Sequence, residues 1–170
     1  WRTLDVIRTI GLSEQTIIST DDEVIAAEAI KLGFYVPALR PSHLAQDDSS
    51  TFDVLKHVLI DIKKRQNWSP KYVLLLQLTS PFRDPKLISH AINLIQENNQ
   101  FSAIVSGRVS HCMNKKTIGF AADHILTYNA DDTSELVEAD GNFYVVRLSE
   151  LIKDGTFLPK GTKVIVSDQH

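Results

Sequence analysis

The sequence predicts an α/β fold in which a mostly parallel sheet carries helices on both faces. Strand-like apolar runs and amphipathic helical segments alternate three times at the spacing of a strand–helix–strand crossover. The central run, YVLLLQ (72–77), is apolar on consecutive residues, which is typical of a strand covered on both faces. A chain of 170 residues can bury one sizeable core, so we predict a single domain over residues 1–170.

The first part of the chain predicts helices that alternate with short strands. Apolar residues recur at helical spacing over 4–10, which predicts a first helix. QTIIST (15–20) and FYVPALRP (34–41) predict short strands, the second of which runs into a loop bounded by prolines. Between them lies a predicted helix that Leu32 and Gly33 would close. Its apolar stripe consists of Ile25, Ala26, Ala29 and Ile30.

The middle of the chain predicts two longer helices on either side of the central strand. The stretch 47–51 is rich in helix N-cap residue types and predicts a helix that ends near 63–65. Pro85 suits the first turn of the next helix, and SAIVSG (102–107) is the strand after it. The core-facing residues are Phe52, Leu55, Leu59 and Ile62 in the first helix and Leu87, Ile88, Ala91, Ile92 and Ile95 in the second.

The alternation changes beyond Gly107. Residues 108–141 contain short β-like pieces and no helical pattern, so we predict a flap inserted on the sheet and not a separate domain. After it, strands at 143–146 and 163–166 flank a short helix at 148–152.

Composition argues against several functional classes. A net charge of −3 gives no reason to expect a nucleic acid or an anionic membrane as partner. No apolar run approaches the roughly 18 residues that span a bilayer, and no signal-peptide pattern is visible. Cys112 is the only cysteine, so no internal disulfide can form, which favours a cytoplasmic location. The histidines show no metal-ligand spacing, so no metal site is predicted from the residues.

Polar side chains follow the predicted strands, at the edge where open α/β sheets bind ligands. Ser19 to Asp22 would serve either as a helix cap or, less specifically, as a pair of metal-binding carboxylates. Arg40 precedes a predicted helix that begins near Ser50 and Thr51, and this combination favours the binding of an anion. A surface arginine beside an ordinary N-cap accounts equally well for these residues.

The stretch QLTSPFR (77–83) is the most unusual strand end. The Gln77 amide can both donate to and accept from a sugar, and the hydroxyls of Thr79 and Ser80 can do the same. A rigid turn whose hydroxyls satisfy its own backbone is the alternative. Arg83 lies near a helix start, where the helix dipole disfavours a cation, so we expect it to have another partner.

The remaining candidates are weak by themselves. Lys115 and Lys116 form either a solvated pair or a phosphate clamp in the flap, and Tyr144 and Phe157 are ordinary core aromatics on sequence grounds. The chain contains no Walker loop, dinucleotide-binding glycine motif, nucleophile elbow or zinc motif.

Several of these motifs together resemble the acylneuraminate cytidylyltransferases, which comprise the CMP-sialic acid synthetases and their legionaminate and pseudaminate relatives. The resemblance extends from about Leu4 to Asp168. It is carried by Ser19-Thr20-Asp21, Leu39-Arg40-Pro41, Gln77-x-Thr79-Ser80-Pro81-x-Arg83, IVSG and DGNFYVVR.

This resemblance implies a three-layer nucleotide-diphospho-sugar transferase fold of the Rossmann-like type and a homodimer. It implies that CTP and a sialic-acid-like nonulosonic acid, a nine-carbon acidic sugar, give a CMP-sugar and pyrophosphate with Mg²⁺. The anomeric hydroxyl would attack the α-phosphorus in line, so positioning and charge neutralisation would supply the catalysis. No protein nucleophile is needed, and no catalytic or metal-binding residue of this chain is assigned.

The resemblance also implies roles for individual residues. Arg40, Ser50 and Thr51 would lie by the nucleotide. The sugar side would comprise Gln77, Thr79, Asp140, Tyr144, Phe157 and the flap residue Lys116, which in the family dimer reaches toward the neighbouring subunit's site.

The sequence departs from the family pattern in several places. The triphosphate loop of the type A-R-x-x-S-K-G is not among these residues, and the metal-binding D-x-D element would follow His170. The flap is short, Asp140 replaces the usual Asn, and Leu78 replaces the usual Pro. We therefore expect the catalytic termini to lie outside these 170 residues. The alternatives are a non-catalytic sugar- or nucleotide-binding dimerisation module, and a cytidylyltransferase for another acidic sugar such as 3-deoxy-octulosonate.

Overall fold

The structure is a computed structural model, and the residues it describes are 2–66, 70–109, 125–130 and 133–166. The chain divides into two compact units. We call Trp1–Val6 together with Lys71–His170 the sheet unit, and Ile7–Pro70 the helical unit. The single domain predicted over the whole chain stays a prediction.

The helices follow the predicted order, and strands form at the predicted stretches 72–77, 102–107, 143–146 and 163–166. The helices are α1 (Arg2–Thr9), α2 (Glu23–Lys31), α3 (Thr51–Gln66), α4 (Pro85–Glu97) and α5 (Leu148–Asp154). The strands are β1 (Tyr72–Leu75), β2 (Ala103–Val109), β3 (Ile125–Ala130), β4 (Thr133–Arg147) and β5 (Thr162–Val166). The predicted α/β class is confirmed.

The strands of the sheet unit form one mixed sheet. The long strand β4 lies between β1 and β2 and runs antiparallel to both. Strand β2 pairs with β4 on one side and, in parallel, with β5 on the other. Strand β3 pairs antiparallel with the first half of β4. A mostly parallel sheet was expected, but β4 follows β3 in a hairpin instead of a helical crossover and therefore enters in the opposite direction.

Helix α4 forms where local signals predict it. The carboxylate of Asp84 accepts the backbone N–H of Lys86 at 2.8 Å, and Pro85 occupies the first turn, where its missing N–H costs nothing. The helix packs against β2 and β4. The large side chains fully buried in the sheet unit are Phe143, Ile88, Ile95, Ile104, Leu151, Val105, Val145 and Val146. Each contributes roughly 1.5–3 kcal/mol of hydrophobic stabilisation relative to exposure.

The helical unit is organised around α2 and α3. The carboxylate of Asp22 caps α2 by accepting the backbone N–H groups of Val24 and Ile25 at 2.7 and 3.0 Å. The helix ends at Lys31 with Leu32 as its C-cap, and Gly33 follows with a φ of +84°. Ala26 and Ala29 of the predicted stripe are buried, but the stripe is too wide, because Ile25 and Ile30 are 48% and 59% exposed.

The two strands predicted in the helical unit are wrong in extent. They are reduced to one parallel bridge between Ile17 and Tyr35. A short 3-10 turn occupies Ser13–Gln15, and Pro37 and Pro41 lack the N–H that a ladder would require.

The predicted flap at 108–141 contains regular structure. Strand β3 and the first half of β4 form a hairpin within it. Residues 110–124 and 131–132, and with them Lys116, lie outside the described residues. In the part of the chain that the structure describes, no helix combines the length and apolarity that crossing a bilayer requires.

Candidate functional site

A bulge in β4 shapes the end of the sheet unit where the predicted sugar-side residues lie. Val105 of β2 pairs with Tyr144, and Gly107 pairs with Ala139, so that residues 140–143 lie opposite Ser106 alone. The Ser106 side chain is 1% exposed. Its hydroxyl accepts the backbone N–H of Phe143 at 2.9 Å and donates to Oδ1 of Asp140. A single buried hydroxyl therefore satisfies two groups of the bulge.

The carboxylate of Asp140 is bonded within the bulge. Besides the Ser106 hydroxyl, Oδ1 accepts the backbone N–H of Asn142 at 2.9 Å. The other oxygen, Oδ2, accepts the side-chain amide of Asn142 at 2.9 Å. One carboxylate oxygen thus stabilises the local backbone and the other holds the Asn142 side chain, roles that the resemblance alone did not indicate.

Arg83 connects this bulge to the end of β1. Its side chain is 8% exposed, and its guanidinium donates to the backbone carbonyls of Gln77 and Asn142 and to the Thr3 hydroxyl. Burial lowers the pKa of Arg83, while the negative charge of Asp140 acts in the opposite direction. The expectation that Arg83 has a partner other than its own helix terminus is confirmed.

The Gln77 side chain lies against the bulge. Gly141 has a φ of +78°, and a Cβ atom there would lie 3.4 Å from both Oε1 of Gln77 and Oγ of Ser80. Gln77 and Ser80 are therefore at ordinary van der Waals distance from that Cβ position, and it is the positive φ that favours glycine here. Ser80 donates its backbone N–H to the Gln77 carbonyl at 3.2 Å, which closes the turn, and Thr79 is exposed within that turn.

Tyr144 and Phe157, the predicted sugar-side aromatics, contact each other. Their ring centroids are 6.0 Å apart and the rings meet edge to face at 65°. Tyr144 also packs against the buried pair Val105 and Val164. Burial, and secondly the charge of Asp140, raise the pKa of Tyr144, so its hydroxyl is neutral and able to donate near neutral pH.

The predicted nucleotide-side arginine lies in the helical unit and is partly engaged. Its guanidinium donates to Oδ1 of Asp21 at 2.8 Å, and the Arg40 backbone N–H donates to the Thr20 carbonyl at 2.8 Å. The hydrogen bond from Arg40 lowers the pKa of Asp21. In the described part of the chain, Nε of Arg40 is buried and makes no hydrogen bond. One donor of this guanidinium is therefore unused.

Ser50 and Thr51 lie at the start of α3, as predicted. The Ser50 hydroxyl accepts the backbone N–H of Phe52 at 3.2 Å, and its carbonyl accepts those of Asp53 and Val54 at 3.0 and 3.1 Å. Ser50 is thus an N-cap residue. Thr51 is exposed in the first turn.

The predicted site residues therefore fall into two sets. The sheet unit brings together Gln77, the bulge and the aromatic pair, whereas Arg40, Ser50 and Thr51 belong to the helical unit. Across the residues that the structure describes, no three His, Cys, Asp or Glu side chains are grouped closely enough to hold a metal ion.

Sequence reasoning missed the bulge and the roles of Ser106 and Asn142. The signal was present in Asp140-Gly141-Asn142, because Gly inside a strand often marks a bulge and Asp and Asn often bond their own backbone. The strand register places Ser106 opposite the bulge, and the sequence does not specify this register.

Comparison with known proteins agrees with these motifs. A family model described as cytidylyltransferase matches residues 1–149. The chain is 27% identical over 159 residues to the CMP-N,N'-diacetyllegionaminic acid synthase of Legionella pneumophila, covering 90% of this chain and 68% of that protein. It is 34% identical over 104 residues to the N-acylneuraminate cytidylyltransferase of Escherichia coli, covering 61% of this chain and 23% of that protein.

Two further comparisons concern a more distant relative and the fold. Over 92 residues the chain is 29% identical to a pseudaminic acid cytidylyltransferase of Campylobacter jejuni, covering 54% of this chain and 39% of that protein. A solved structure of CMP:2-keto-3-deoxy-manno-octonic acid synthetase complexed with CTP superposes with a TM-score of 0.62 at 11% identity. This superposition covers 98% of this chain and 78% of that one, which confirms the predicted nucleotide-sugar transferase fold. The family match over most of the chain, together with these relatives, shows that the chain belongs to the cytidylyltransferases, a family of nucleotidyltransferases.

Proposed function

We propose that the protein transfers CMP from CTP to a sialic-acid-like nonulosonic acid and releases pyrophosphate. The observation that carries the proposal is the Gln77 turn, where an amide and a hydroxyl lie against the Gly141 backbone in the same unit as the Tyr144–Phe157 pair. Amides and hydroxyls suit the polar groups of a sugar, and an aromatic edge suits its apolar face. The relatives named for legionaminic, N-acylneuraminic and pseudaminic acids support this class of acceptor.

The reaction requires few chemical groups from the protein. The anomeric oxygen of the sugar forms a bond to the α-phosphorus of CTP as the bond to pyrophosphate breaks, and the hydroxyl proton is released. In this scheme Gln77, Thr79, Tyr144 and Phe157 orient the sugar. On the nucleotide side, Arg40 donates to the nucleotide while Ser50 and Thr51 present a hydroxyl and a helix N-terminus.

We propose a requirement for Mg²⁺, which when bound would neutralise charge on the triphosphate. The described residues do not fit a protein-held magnesium centre: no cluster of three candidate ligands is present among them, and Asp21 is paired with Arg40. No residue of this chain is therefore assigned to the metal.

The direct test is product formation by the full-length protein. CTP and Mg²⁺ are incubated with legionaminic, N-acylneuraminic, pseudaminic or 3-deoxy-octulosonic acid, and both pyrophosphate and the CMP-sugar are measured. We expect turnover with at least one of the nine-carbon acids and none when the sugar is omitted. Turnover with 3-deoxy-octulosonate alone would replace the proposed acceptor, and binding without turnover of any acid would favour the non-catalytic module.

We further propose a homodimer in the cytoplasm. The dimer is supported by the family resemblance, and the location by the single cysteine at position 112, which is compatible with a reducing compartment. Light scattering of the full-length protein should give twice the monomer mass, and a monomer at micromolar concentration would contradict the dimer.

A further inference from the structure

An acidic residue at position 140 poses a problem for a site that binds an acidic sugar. Two carboxylates close together in a partly desolvated site repel each other. Asp140 lies beside Gly141, where a Cβ atom would lie 3.4 Å from Oε1 of Gln77. If the Asp140 carboxylate faced the sugar, it would oppose the binding of a sugar carboxylate.

The hydrogen bonds resolve this conflict. A carboxylate has about four acceptor positions. Those of Asp140 accept from the Ser106 hydroxyl and from the backbone and side-chain amides of Asn142. Its charge also interacts with the buried guanidinium of Arg83. These three bonds hold the carboxylate within the protein through both of its oxygens.

The same bonds extend from Asp140 to Gln77. Asp140 fixes Asn142, the Asn142 carbonyl accepts from Arg83, and Arg83 also donates to the Gln77 carbonyl. A second connection is the proximity of Gly141 to Gln77, whose Oε1 lies 3.4 Å from the position that a Cβ atom of residue 141 would occupy. The position of the bulge thus determines both the backbone and the side-chain surroundings of Gln77.

We infer that Asp140 is a positioning residue for the sugar: it holds the bulge of β4 through Ser106 and Asn142, and the bulge in turn orients the Gln77 amide without any contact between Asp140 and the sugar. This inference rests on the proposed function. Ser106, Asn142 and Arg83 then support the selection of the sugar acceptor. The inference also explains structurally why an Asp can occupy position 140.

The kinetic test compares two substitutions at position 140 in the full-length protein. Asp140→Ala removes all acceptors, so the KM for the sugar should rise about tenfold or more while the KM for CTP changes by less than about twofold. Asp140→Asn keeps an acceptor for Ser106 and for the Asn142 N–H, and the Asn142 amide can turn to meet the new NH₂ group. The KM for the sugar of Asp140→Asn should therefore stay within about threefold of the wild-type value. Asp154→Ala, an exposed acid at the end of α5, is the matched control and should change neither KM.

A double-mutant cycle tests whether Asp140 acts through Gln77. Adding Asp140→Ala to Gln77→Ala should leave the KM for the sugar at the value of Gln77→Ala alone, since the group being positioned is already absent. Additive effects, or an Asp140→Asn variant as impaired as Asp140→Ala, would show a direct contact between the carboxylate and the sugar and would overturn the inference.

A substrate-free measurement separates this inference from the proposed function. In ¹⁵N-correlated NMR spectra, Asp140→Ala should shift the side-chain amide resonances of Gln77 and accelerate hydrogen exchange of the Phe143 N–H, whereas Asp140→Asn should do neither. If the wild type uses no acidic sugar, the proposed function fails while these spectra still decide whether Asp140 positions Gln77. Unchanged Gln77 resonances in Asp140→Ala would overturn the inference even in an active enzyme.

Discussion

At the scale of single residues, Arg83 shows how a side chain that resembles a ligand contact can be structural. Its position near a helix start is electrostatically unfavourable, which predicts a partner but does not identify one. The structure identifies the partners as the carbonyls of Gln77 and Asn142 and the Thr3 hydroxyl. Two of these are remote in sequence, so only the fold could identify them.

Replacing Arg83 should destabilise the sheet unit. Arg83→Ala leaves the half-buried carbonyls of Gln77 and Asn142 without their charged donor, so we expect a loss of about 3 kcal/mol in the free energy of unfolding. Urea denaturation measures this loss. Arg2→Ala is the control, because Arg2 is exposed and stacks on the Phe82 ring at 4.4 Å, and its loss should cost less than about 1 kcal/mol. Equal losses in the two variants would contradict the structural role of Arg83.

Tyr144 should make the stability depend on pH in the alkaline range. Its pKa in the folded protein lies above the ordinary value of 10.0, so folding favours the protonated phenol. This contribution is fully present below pH 10 and is lost as the pH rises through the folded pKa. Urea denaturation between pH 8 and pH 11 measures the free energy of unfolding. As the pH rises, this free energy should therefore decrease less for Tyr144→Phe than for the wild type. Parallel pH profiles would show that the Tyr144 phenol is not perturbed.

Arg40 should contribute to nucleotide affinity. Arg40→Ala removes a charge-assisted donor, so we expect CTP binding to weaken by about 2–3 kcal/mol in calorimetry of the full-length protein. Lys31→Ala removes an exposed cation of the same unit and should leave the affinity unchanged. An unchanged CTP affinity in Arg40→Ala would remove this residue from the nucleotide site.

At the scale of elements, prediction succeeds where the determinants are local. The start of α4 follows from Asp84 and Pro85, and the end of α2 from Gly33, because caps and backbone conformations depend on neighbouring residues. The bulge of β4 depends on Ser106, which is distant in sequence and is placed opposite by strand register. The predicted strands at 15–20 and 34–41 are reduced to the Ile17–Tyr35 bridge, because Pro37 and Pro41 lack the N–H groups that a longer ladder would require.

Removing the Ser106 hydroxyl should loosen this bulge. Ser106→Ala leaves the Phe143 N–H buried without its acceptor and removes one of the donors to Asp140, so we expect a loss of about 2 kcal/mol in unfolding free energy. Ser149→Ala, at an exposed position of α5, should change stability by less than about 0.5 kcal/mol. A neutral Ser106→Ala variant would mean that the bulge does not depend on this hydroxyl.

At the scale of the whole molecule, the family and fold class could be predicted from short motifs, whereas the geometry of the site could not. Gln77, Thr79 and Arg40 lie in stretches whose residue types suggest their chemistry directly. Asp140 was assigned to the sugar by position, yet its carboxylate bonds Ser106 and Asn142, because hydrogen-bond partners are chosen by the three-dimensional packing.

The measurement that tests the central claim most directly is the steady-state kinetics of Gln77→Ala in the full-length protein. If the Gln77 turn is the sugar side of a cytidylyltransferase site, the KM for the nonulosonic acid should rise about tenfold or more and the KM for CTP should stay within about twofold of the wild type. An equal rise in both constants, or a rise for CTP alone, would contradict that assignment.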